Sequence, residues 1–368
     1  MKRNLEQKIW LLTFFIVALG LIALYSASTG NVRVSHKIFY DQLYCAGIGF
    51  AVMYLLGKFD FRHYYDIAYI LYGINIILLL AVMFAGRHAL GATRWLEIAG
   101  FNFQPSELTK VSLIVLLARY YSERRHHLSF NLFTRINSIW HDLGLPLFLT
   151  LVPMWLIFRQ PDLGTSLLMM GIFLTIAFVA GVRYSYLFGF LGLCVSAVPF
   201  GWHFLRDYQK DRLLVFLNPN IDPLGAGYTI IQSKIAVGSG QLFGKGWLSG
   251  TQTQLNFLPE RHTDFIFSVV GEEWGFCGAA VLVLLYFYLI HTSLNVAEQV
   301  KDRFGRLLAV GITAILSMQV IINIGMVMGL FPIVGLTLPF ISYGRTSFII
   351  FILLSGILLN LSKKRAMF

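Results

Sequence analysis

Charged residues are scarce in this sequence. Only 13% of its 368 residues are Asp, Glu, Lys or Arg, about half of the roughly 25% that is usual in soluble globular domains. Hydrophobic residues make up 57% of the chain. This composition excludes an ordinary soluble domain and indicates a protein that crosses a membrane several times.

Cysteine is equally scarce. Cys45, Cys194 and Cys277 all lie inside apolar runs, which excludes a disulfide framework and leaves no pair at metal-ligand spacing. The formal net charge is +11, but the basic residues are spread over the segments that flank the apolar runs and form no single stripe. We therefore expect no nucleic-acid partner.

Apolar runs of about 20 residues, the length that crosses a hydrocarbon core of about 30 Å, recur along the whole chain. The predicted spans cover residues 8–27, 38–57, 67–86, 105–122, 143–158, 164–182, 184–205, 264–291, 307–330 and 338–361. The expected fold class is an all-α polytopic membrane protein of about ten transmembrane helices, built as a single domain over residues 1–368.

The distribution of Lys and Arg sets the expected orientation, because short cytoplasmic loops retain these residues. Arg124, Arg125, Arg303 and Arg306 flank spans at ends that lie inside if the N-terminus is inside. Both termini are therefore predicted to be cytoplasmic, and the first apolar run is predicted to be a retained helix rather than a cleaved signal peptide.

The long segment 206–262 is then extracytoplasmic, and loops of this length are usually functional or disordered. Tyr228, Ile231 and Ile235 share one helical face, which predicts a segment that lies on the outer membrane surface or dips into a cavity. The stretch "GSGQLFGKG" at 238–246 lacks the spacing and the final Ser or Thr of a phosphate-binding loop, so we expect no nucleotide there.

Four helices that begin outside have unusually polar starts. These are "FQPSELTK" at 103–110, "RQPDLGTS" at 159–166, "RHTDFIFS" at 261–268 and "PFISYGRTS" at 339–347. Pro105 and Pro161 suit the first position of a helix. Helix N-termini carry free N–H groups and partial positive charge, so several of them meeting on one side predict an anion-compatible cavity that faces outward.

Asp264 is predicted in the first turn of its helix, behind Thr263 as the cap. It could simply complement the helix dipole. It also heads a stripe of small residues that includes Gly271, Gly275 and Gly278, and such a stripe suits either a close helix–helix contact or a bulky ligand lying along the helix.

Glu107 and Lys110 are three residues apart and meet on one helix face. They form either an internal pair or a polar wall in which Lys110 is available to a phosphate, and Asp162 likewise either complements a helix dipole or belongs to the site. From the residues alone, an outward-facing acidic cavity fits a lipid-headgroup enzyme and a transporter equally well.

Long motifs in order then resemble the SEDS family of bacterial cell-wall polymerases, in its RodA branch. They are "GATRWLEIAGFNFQPSELTKV" (91–111), "RQPDLGTSL" (159–167), "NPNIDPLGAGYTIIQSKIAVGSGQLFGKGW" (218–247), "GTQTQLNFLPERHTDFIFSVVGEEWGF" (250–276) and "GMVMGLFPIVGLTLPFISYG" (325–344). The resemblance implies a ten-helix enzyme of the bacterial cytoplasmic (inner) membrane that polymerises lipid II at its outer face during elongation.

The resemblance also implies partners and site residues. The partners are a class B penicillin-binding protein and other elongation-complex membrane proteins. Asp264 matches the essential aspartate of the family, while Glu107, Lys110 and Asp162 match cavity positions. Charge on the departing diphosphate needs fixed positive potential. The candidates are the outward helix N-termini, Lys110, Arg94, Arg212 and a divalent cation, and the sequence implies no other cofactor.

Two positions depart from the family pattern. Arg345 stands where a second glycine usually follows "SYG", and Thr337 stands where proline is common. Arg345 could contact a phosphate or extend to the membrane interface. A flippase for the lipid-linked precursor and a scaffold without catalysis remain the alternative functions.

Overall fold

The computed structural model of the chain describes residues 2–29, 32–89, 92–98, 101–124, 139–204, 207–223 and 225–363. Part of the predicted inner loop after Arg124, including Arg125, lies outside these residues.

Helices dominate the described chain. The first four are α1 (Lys2–Ser28), α2 (Val32–Leu56), α3 (Arg62–Ala85) and α4 (Pro105–Glu123). The next four are α5 (Leu145–Arg159), which continues a π-helical turn at Trp140–Gly144, then α6 (Leu163–Ala180), α7 (Tyr184–Phe204) and α8 (Asp207–Leu217). The last five are α9 (Ala226–Ser239), α10 (Thr251–Gln254), α11 (Ile266–Gln299), α12 (Arg303–Val327) and α13 (Arg345–Lys363).

Eight helical segments of the described chain are long and apolar enough to cross a membrane. They are α1, α2, α3, α5 with its π-helical turn, α6, α11, α12 and α13. The two remaining predicted spans correspond to α4 and α7. Helix α4 carries the charged pair Glu107 and Lys110, and its residues from Pro105 to Ala118 are almost all buried, so protein rather than lipid surrounds it. The all-α membrane fold class is confirmed, and each of the ten predicted spans coincides with a helix, eight of which are long and apolar enough to cross a membrane.

The packing separates central from peripheral helices. In α13, 83% of the apolar window is buried inside the protein, against 22% in α3. Phe84 and Ile70 on α3 are 88% and 63% exposed, as expected for side chains that face lipid. Helices α4, α12 and α13 therefore form the protein interior, and α3 lies at the periphery.

Three short strands, β1 (Arg87–Ala89), β2 (Ala92–Ile98) and β3 (Phe101–Phe103), join α3 to α4 as an antiparallel sheet in the order β1-β2-β3. The sequence did not predict these strands. In the ladder, Trp95 of β2 pairs with Arg87 of β1 and Leu96 pairs with Phe103 of β3. The sheet holds Arg94 beside the start of α6.

The long segment between α7 and α11 contains α8, a 3₁₀ turn at Pro219–Ile221, α9 and α10. The sequence predicted that Tyr228, Ile231 and Ile235 share one face of α9, and the structure shows that a different face packs into the protein. Ile230, Ser233 and Ala236 are buried, whereas Ile235 is 45% exposed. Ser233 explains the choice, because its hydroxyl donates to the carbonyl oxygen of Val327 at 2.7 Å and lies 3.0 Å from the Ser268 hydroxyl, and these bonds turn that side of α9 toward α11 and α12.

Helix α11 is interrupted at Gly275, where φ is +63° and ψ is −162°. The loop after α9 pairs with the interruption. The N–H groups of Phe276 and Cys277 donate to the carbonyl oxygens of Gln241 and Leu242 at 2.8 and 3.0 Å. The N–H groups of Lys245 and Gly246 donate to the carbonyl oxygens of Glu272 and Glu273 at 3.0 and 3.1 Å. Backbone groups freed by the break are thus satisfied inside the protein, as the membrane requires.

This docking decides between the two interpretations of the glycine stripe. A Cβ on Gly275 would lie 2.3 Å from the Gly244 nitrogen, and one on Gly271 would lie 3.2 Å from a Val237 methyl carbon. The first contact is too short to exist and the second is tight. The stripe is therefore the contact surface for α9 and its following loop, and the idea that a ligand lies along Gly271 and Gly275 is wrong.

Candidate functional site

Asp264 lies just before α11, in the turn that leads into the helix. The helix begins at Ile266, so the predictions that Asp264 occupies its first turn and that Thr263 caps it are wrong. The Asn323 amide donates to the Asp264 carbonyl oxygen at 2.9 Å, and the side chain is half-buried. No hydrogen bond to the Asp264 carboxylate comes from the described residues, so this group is open to a ligand.

Charges from several elements act on that carboxylate. Burial, and after it the negative charge of Glu260, raise the pKa of Asp264 from its ordinary value to about 6. Arg212 and Arg94 lower the pKa, and Asp162 raises it. A carboxyl group with a pKa close to neutrality suits general base catalysis. The structure thus brings Asp264, Arg94, Arg212 and Asp162, all predicted from sequence, into one electrostatic group.

The two arginines of the group come from different elements of the fold. On β2, Arg94 donates from Nε to the Gln160 carbonyl oxygen at 3.2 Å and from Nη2 to the Pro161 carbonyl oxygen. From α8, the exposed Arg212 donates to the Ile333 carbonyl oxygen at 3.3 Å. Both guanidinium groups act electrostatically on Asp264 and lower its pKa.

Asp162 is the N-cap of α6 and accepts a hydrogen bond from the Thr165 N–H at 3.2 Å. The helix begins at Leu163, so the placement of Pro161 at the first helical position is wrong, whereas Pro105 does begin α4. Asp162 is 2% exposed. Asp162 therefore fits both predicted roles, because it caps α6 and its charge acts on Asp264.

Glu107 and Lys110 form an internal ion pair in this conformation. The Lys110 ammonium lies 2.7 Å from Glu107 Oε1, donates to Gln319 Oε1 at 3.1 Å and lies 5.7 Å from the centre of the Phe351 ring. Both side chains are buried. Glu107 Oε2, however, has no hydrogen-bond partner among the described residues, so the pair keeps one unused acceptor.

Helix α12 connects this pair to Asp264. Gln319 accepts from Lys110, and its amide donates to the Thr337 carbonyl oxygen at 2.9 Å. One turn along the helix, the Asn323 amide donates to the carbonyl oxygens of Asp264 and Leu336. Sequence reasoning missed Gln319 and Asn323, although two amides four residues apart in an apolar helix are a readable signal.

The segment between α12 and α13 forms the shared wall of the site. A Cβ on Gly335 would lie 3.6 Å from Asp264 Oδ2, and one on Gly164 would lie 2.4 Å from the Val334 carbonyl oxygen. The segment therefore runs between Asp264 and the start of α6. At its far end the Thr346 hydroxyl accepts from the Gln104 N–H at 3.2 Å. The polar helix starts therefore lie close together, as predicted.

The two departures from the family pattern also have local partners. The Thr337 hydroxyl lies 2.9 Å from the Ser347 hydroxyl and accepts from the Gln319 amide at 3.3 Å. Arg345 forms an ion pair with Asp41 on α2. Among the described residues, no three His, Cys, Asp or Glu side chains are grouped closely enough to hold a metal ion.

Comparison with known proteins now places the chain. The family model of FtsW, RodA and SpoVE, described as cell cycle protein, matches residues 6–367. Peptidoglycan glycosyltransferase MrdB of Escherichia coli (strain K12) is 38% identical over 367 residues, which cover 100% of this chain and 95% of the relative. The chain therefore belongs to the FtsW/RodA/SpoVE family.

Solved structures agree with this assignment. A chain of a peptidoglycan synthase complex, described for its coordination of polymerization and crosslinking, superposes with a TM-score of 0.81 at 32% identity, covering 97% of both chains. The crystal structure of the Thermus thermophilus rod shape determining protein RodA gives a TM-score of 0.71 at 30% identity and covers 98% of this chain and 97% of that one.

Proposed function

We propose that this protein is a peptidoglycan glycosyltransferase that polymerises lipid II into glycan strands during cell elongation. The observation that carries the proposal is the surroundings of Asp264. The half-buried Asp264 carboxylate accepts no hydrogen bond from the described residues and has its pKa raised to about 6. It lies at the mouth of a membrane helix, where the positive charges of Arg94 and Arg212 act on it. Relatives over the full chain length are named peptidoglycan glycosyltransferases.

In the proposed reaction, Asp264 is the general base. Its carboxylate takes the proton from the 4-hydroxyl group of the acceptor sugar, and that oxygen forms a bond to the anomeric carbon of the donor. The bond from the anomeric carbon to the undecaprenyl diphosphate breaks, so the configuration inverts in one displacement. Diphosphate is a good leaving group, which removes the need for the second carboxyl group of a glycoside hydrolase.

Arg94 and Arg212 are the proposed partners of the diphosphate. Both act electrostatically on Asp264, so a diphosphate within their reach would also be close to the base. Fixed positive charge at the departing group stabilises the transition state without reorganisation. Asp162 is proposed to set the electrostatic balance from the start of α6.

Glu107 and Lys110 are proposed to stabilise the site through their contact with α12. Their contact with α12 through Gln319 links them to the helix that holds the Asp264 backbone. Glu107 Oε2, which has no partner in the described chain, is the acceptor through which this pair would reach a substrate hydroxyl or amide group.

The proposed orientation puts both termini in the cytoplasm and the site at the outer face of the bacterial cytoplasmic membrane. Its support is the charge distribution of the sequence together with the ion pair between Lys363 on α13 and Glu6 on α1, 2.9 Å apart, which puts the two ends of the chain on one side of the bundle. The proposed partners are a class B penicillin-binding protein and other elongation-complex membrane proteins. One similar chain comes from a peptidoglycan synthase complex.

The test is glycan synthesis from purified lipid II by the full chain in complex with its class B partner, whose transpeptidase is blocked. We expect polymer from the wild type, and polymer also from Glu97→Gln, an exposed carboxylate on the same outer face. Translocation of labelled lipid II in proteoliposomes without any polymer formation would contradict the proposal and support the flippase alternative.

A further inference from the structure

The residues that precede α13 hold the backbone that leads to Asp264. The Tyr343 N–H donates to the His262 carbonyl oxygen at 2.8 Å, and the Ser342 hydroxyl donates to the Thr263 carbonyl oxygen at 2.5 Å. The rings of Tyr343 and His262 also lie close, with centroids 6.1 Å apart. Two successive residues therefore fix the two carbonyl groups immediately before Asp264.

Helix α2 holds those two residues in turn. Arg345 Nη2 donates to Asp41 Oδ2, and the Tyr343 hydroxyl donates to the same carboxylate oxygen at 3.5 Å. The neighbouring Gln42 amide donates to the Ser342 carbonyl oxygen at 3.3 Å. Arg345 stands where the family resemblance leads us to expect a glycine. Its ion-pair partner, Asp41, lies on another helix.

The position of this backbone matters because nothing in the described chain restrains the Asp264 carboxylate directly. The direction of its side chain depends on residues 262–264, which are held by Tyr343, Ser342 and the Asn323 amide. A catalytic group must be held within about 0.5 Å of its productive position, and a misplacement of about 1 Å can cost about a hundredfold in rate.

We propose that the Asp41–Arg345 ion pair is a positioning element of the candidate site. It ties α2 to the start of α13 and fixes Tyr343 and Ser342, and through their hydrogen bonds it sets the orientation of Asp264. Arg345 is then a positioning residue and takes no phosphate. This inference deepens the proposed function and rests on it for its catalytic consequence.

The test uses Arg345→Ala, Asp41→Ala and the double reversal Asp41→Arg with Arg345→Asp. The matched control is the Glu6–Lys363 pair, 2.9 Å apart at the other end of α13 and about one third exposed on both sides. Two quantities are measured in the full complex: hydrogen–deuterium exchange of the peptide that contains the Tyr343 amide, and kcat and KM for glycan synthesis.

We expect both single variants to exchange the Tyr343 amide faster and to lower kcat by about tenfold to a hundredfold, with KM unchanged. The double reversal restores slow exchange and most of kcat. Lys363→Ala, which breaks the control pair, leaves both quantities at the wild-type value.

Three results would overturn the inference: wild-type exchange and kcat in the single variants, failure of the reversal to restore either quantity, or an increase in KM without faster exchange, which would make Arg345 a substrate contact. If the wild type forms no polymer, the proposed function fails, whereas the exchange measurement still decides whether the pair holds the Tyr343 backbone.

Discussion

Asp264 and Glu272 lie close together in the sequence, yet their carboxylates have opposite surroundings. Glu272 is 0% exposed and accepts from Lys245 Nζ at 2.9 Å, from the N–H groups of Gln252 and Thr253 and from the hydroxyls of Thr251 and Thr253. Asp264 has only its backbone carbonyl oxygen bonded among the described residues. A carboxylate with all its acceptor positions filled stabilises structure, whereas one left open can exchange a proton with a ligand.

The same contrast separates their roles in the fold. Glu272 caps α10 and, with Lys245, ties the loop that follows α9 to the break in α11. It therefore helps to position the chain that leads to Asp264. If Asp264 is the proposed base, chemistry and structural support are divided between two acidic residues of one motif.

The largest expected effect comes from the open carboxylate. Asp264→Asn keeps the shape of the side chain and removes the base, so we expect glycan synthesis to fall by about 10²- to 10⁴-fold. The thermal unfolding midpoint stays at the wild-type value, because no hydrogen bond to the carboxylate from the described chain is lost. Initial rates at matched amounts of folded complex check this. Near-normal polymer from the variant would move the base elsewhere.

Glu272→Ala should instead reduce the stability of the fold. It leaves two buried N–H groups, two hydroxyls and Lys245 without their acceptor, and we expect it to lower the free energy of unfolding by about 3 kcal/mol. Thermal unfolding in detergent measures the loss. Lys245→Ala is the control, since its ammonium is 27% exposed and its removal should cost less. An undiminished unfolding midpoint in Glu272→Ala would refute the structural role.

Glycines at the docked loop give a smaller effect with a close internal control. Gly244 and Gly246 have φ angles of +82° and +99°, so alanine is strained at both. Only at Gly244 would a Cβ clash, at 2.1 Å from the Glu273 carbonyl oxygen, whereas at Gly246 the nearest atom is 3.7 Å away. We expect Gly244→Ala to destabilise the protein by about 2 kcal/mol more than Gly246→Ala. Equal unfolding midpoints would show that the loop is not docked on α11.

The smallest effect concerns Glu260. Its negative charge is the second-largest cause, after burial, of the raised pKa of Asp264. Glu260→Gln removes that charge and lowers the pKa, so the base stays ionised at lower pH. The acidic limb of kcat/KM should therefore move to lower pH, with little change of the plateau. A limb that moves to higher pH, or does not move, would remove Glu260 from the electrostatic group.

Much of this arrangement could be predicted from the sequence. Apolar runs of membrane length and polar helix starts are strong local signals, because the lipid core tolerates few alternatives. They predicted the ten helical spans and the convergence of the starts of α4 and α6 with the turn before α11. Arg94 and Arg212 were predicted only as candidate sources of positive charge for the diphosphate.

The rest depends on contacts between distant parts of the chain. Which face of α9 is buried depends on Ser233 and its bond to Val327. The role of the glycine stripe of α11 depends on the loop that docks on it. Arg345 could not be interpreted without Asp41, which lies on another helix. Local periodicity carries no information about such partners. The spacing of Gln319 and Asn323 on α12 was readable, but the sequence does not show that they bond to Lys110 and to the Asp264 backbone.

The most direct test of the central claim is the pH dependence of initial glycan synthesis by the wild-type complex and by Asp264→Asn, between about pH 5 and pH 8. Because the base must be ionised and its pKa is about 6, the account predicts that the wild-type rate falls below about pH 6 and that the residual rate of Asp264→Asn lacks this limb. The same acidic limb in both proteins would contradict the assignment of Asp264 as the base.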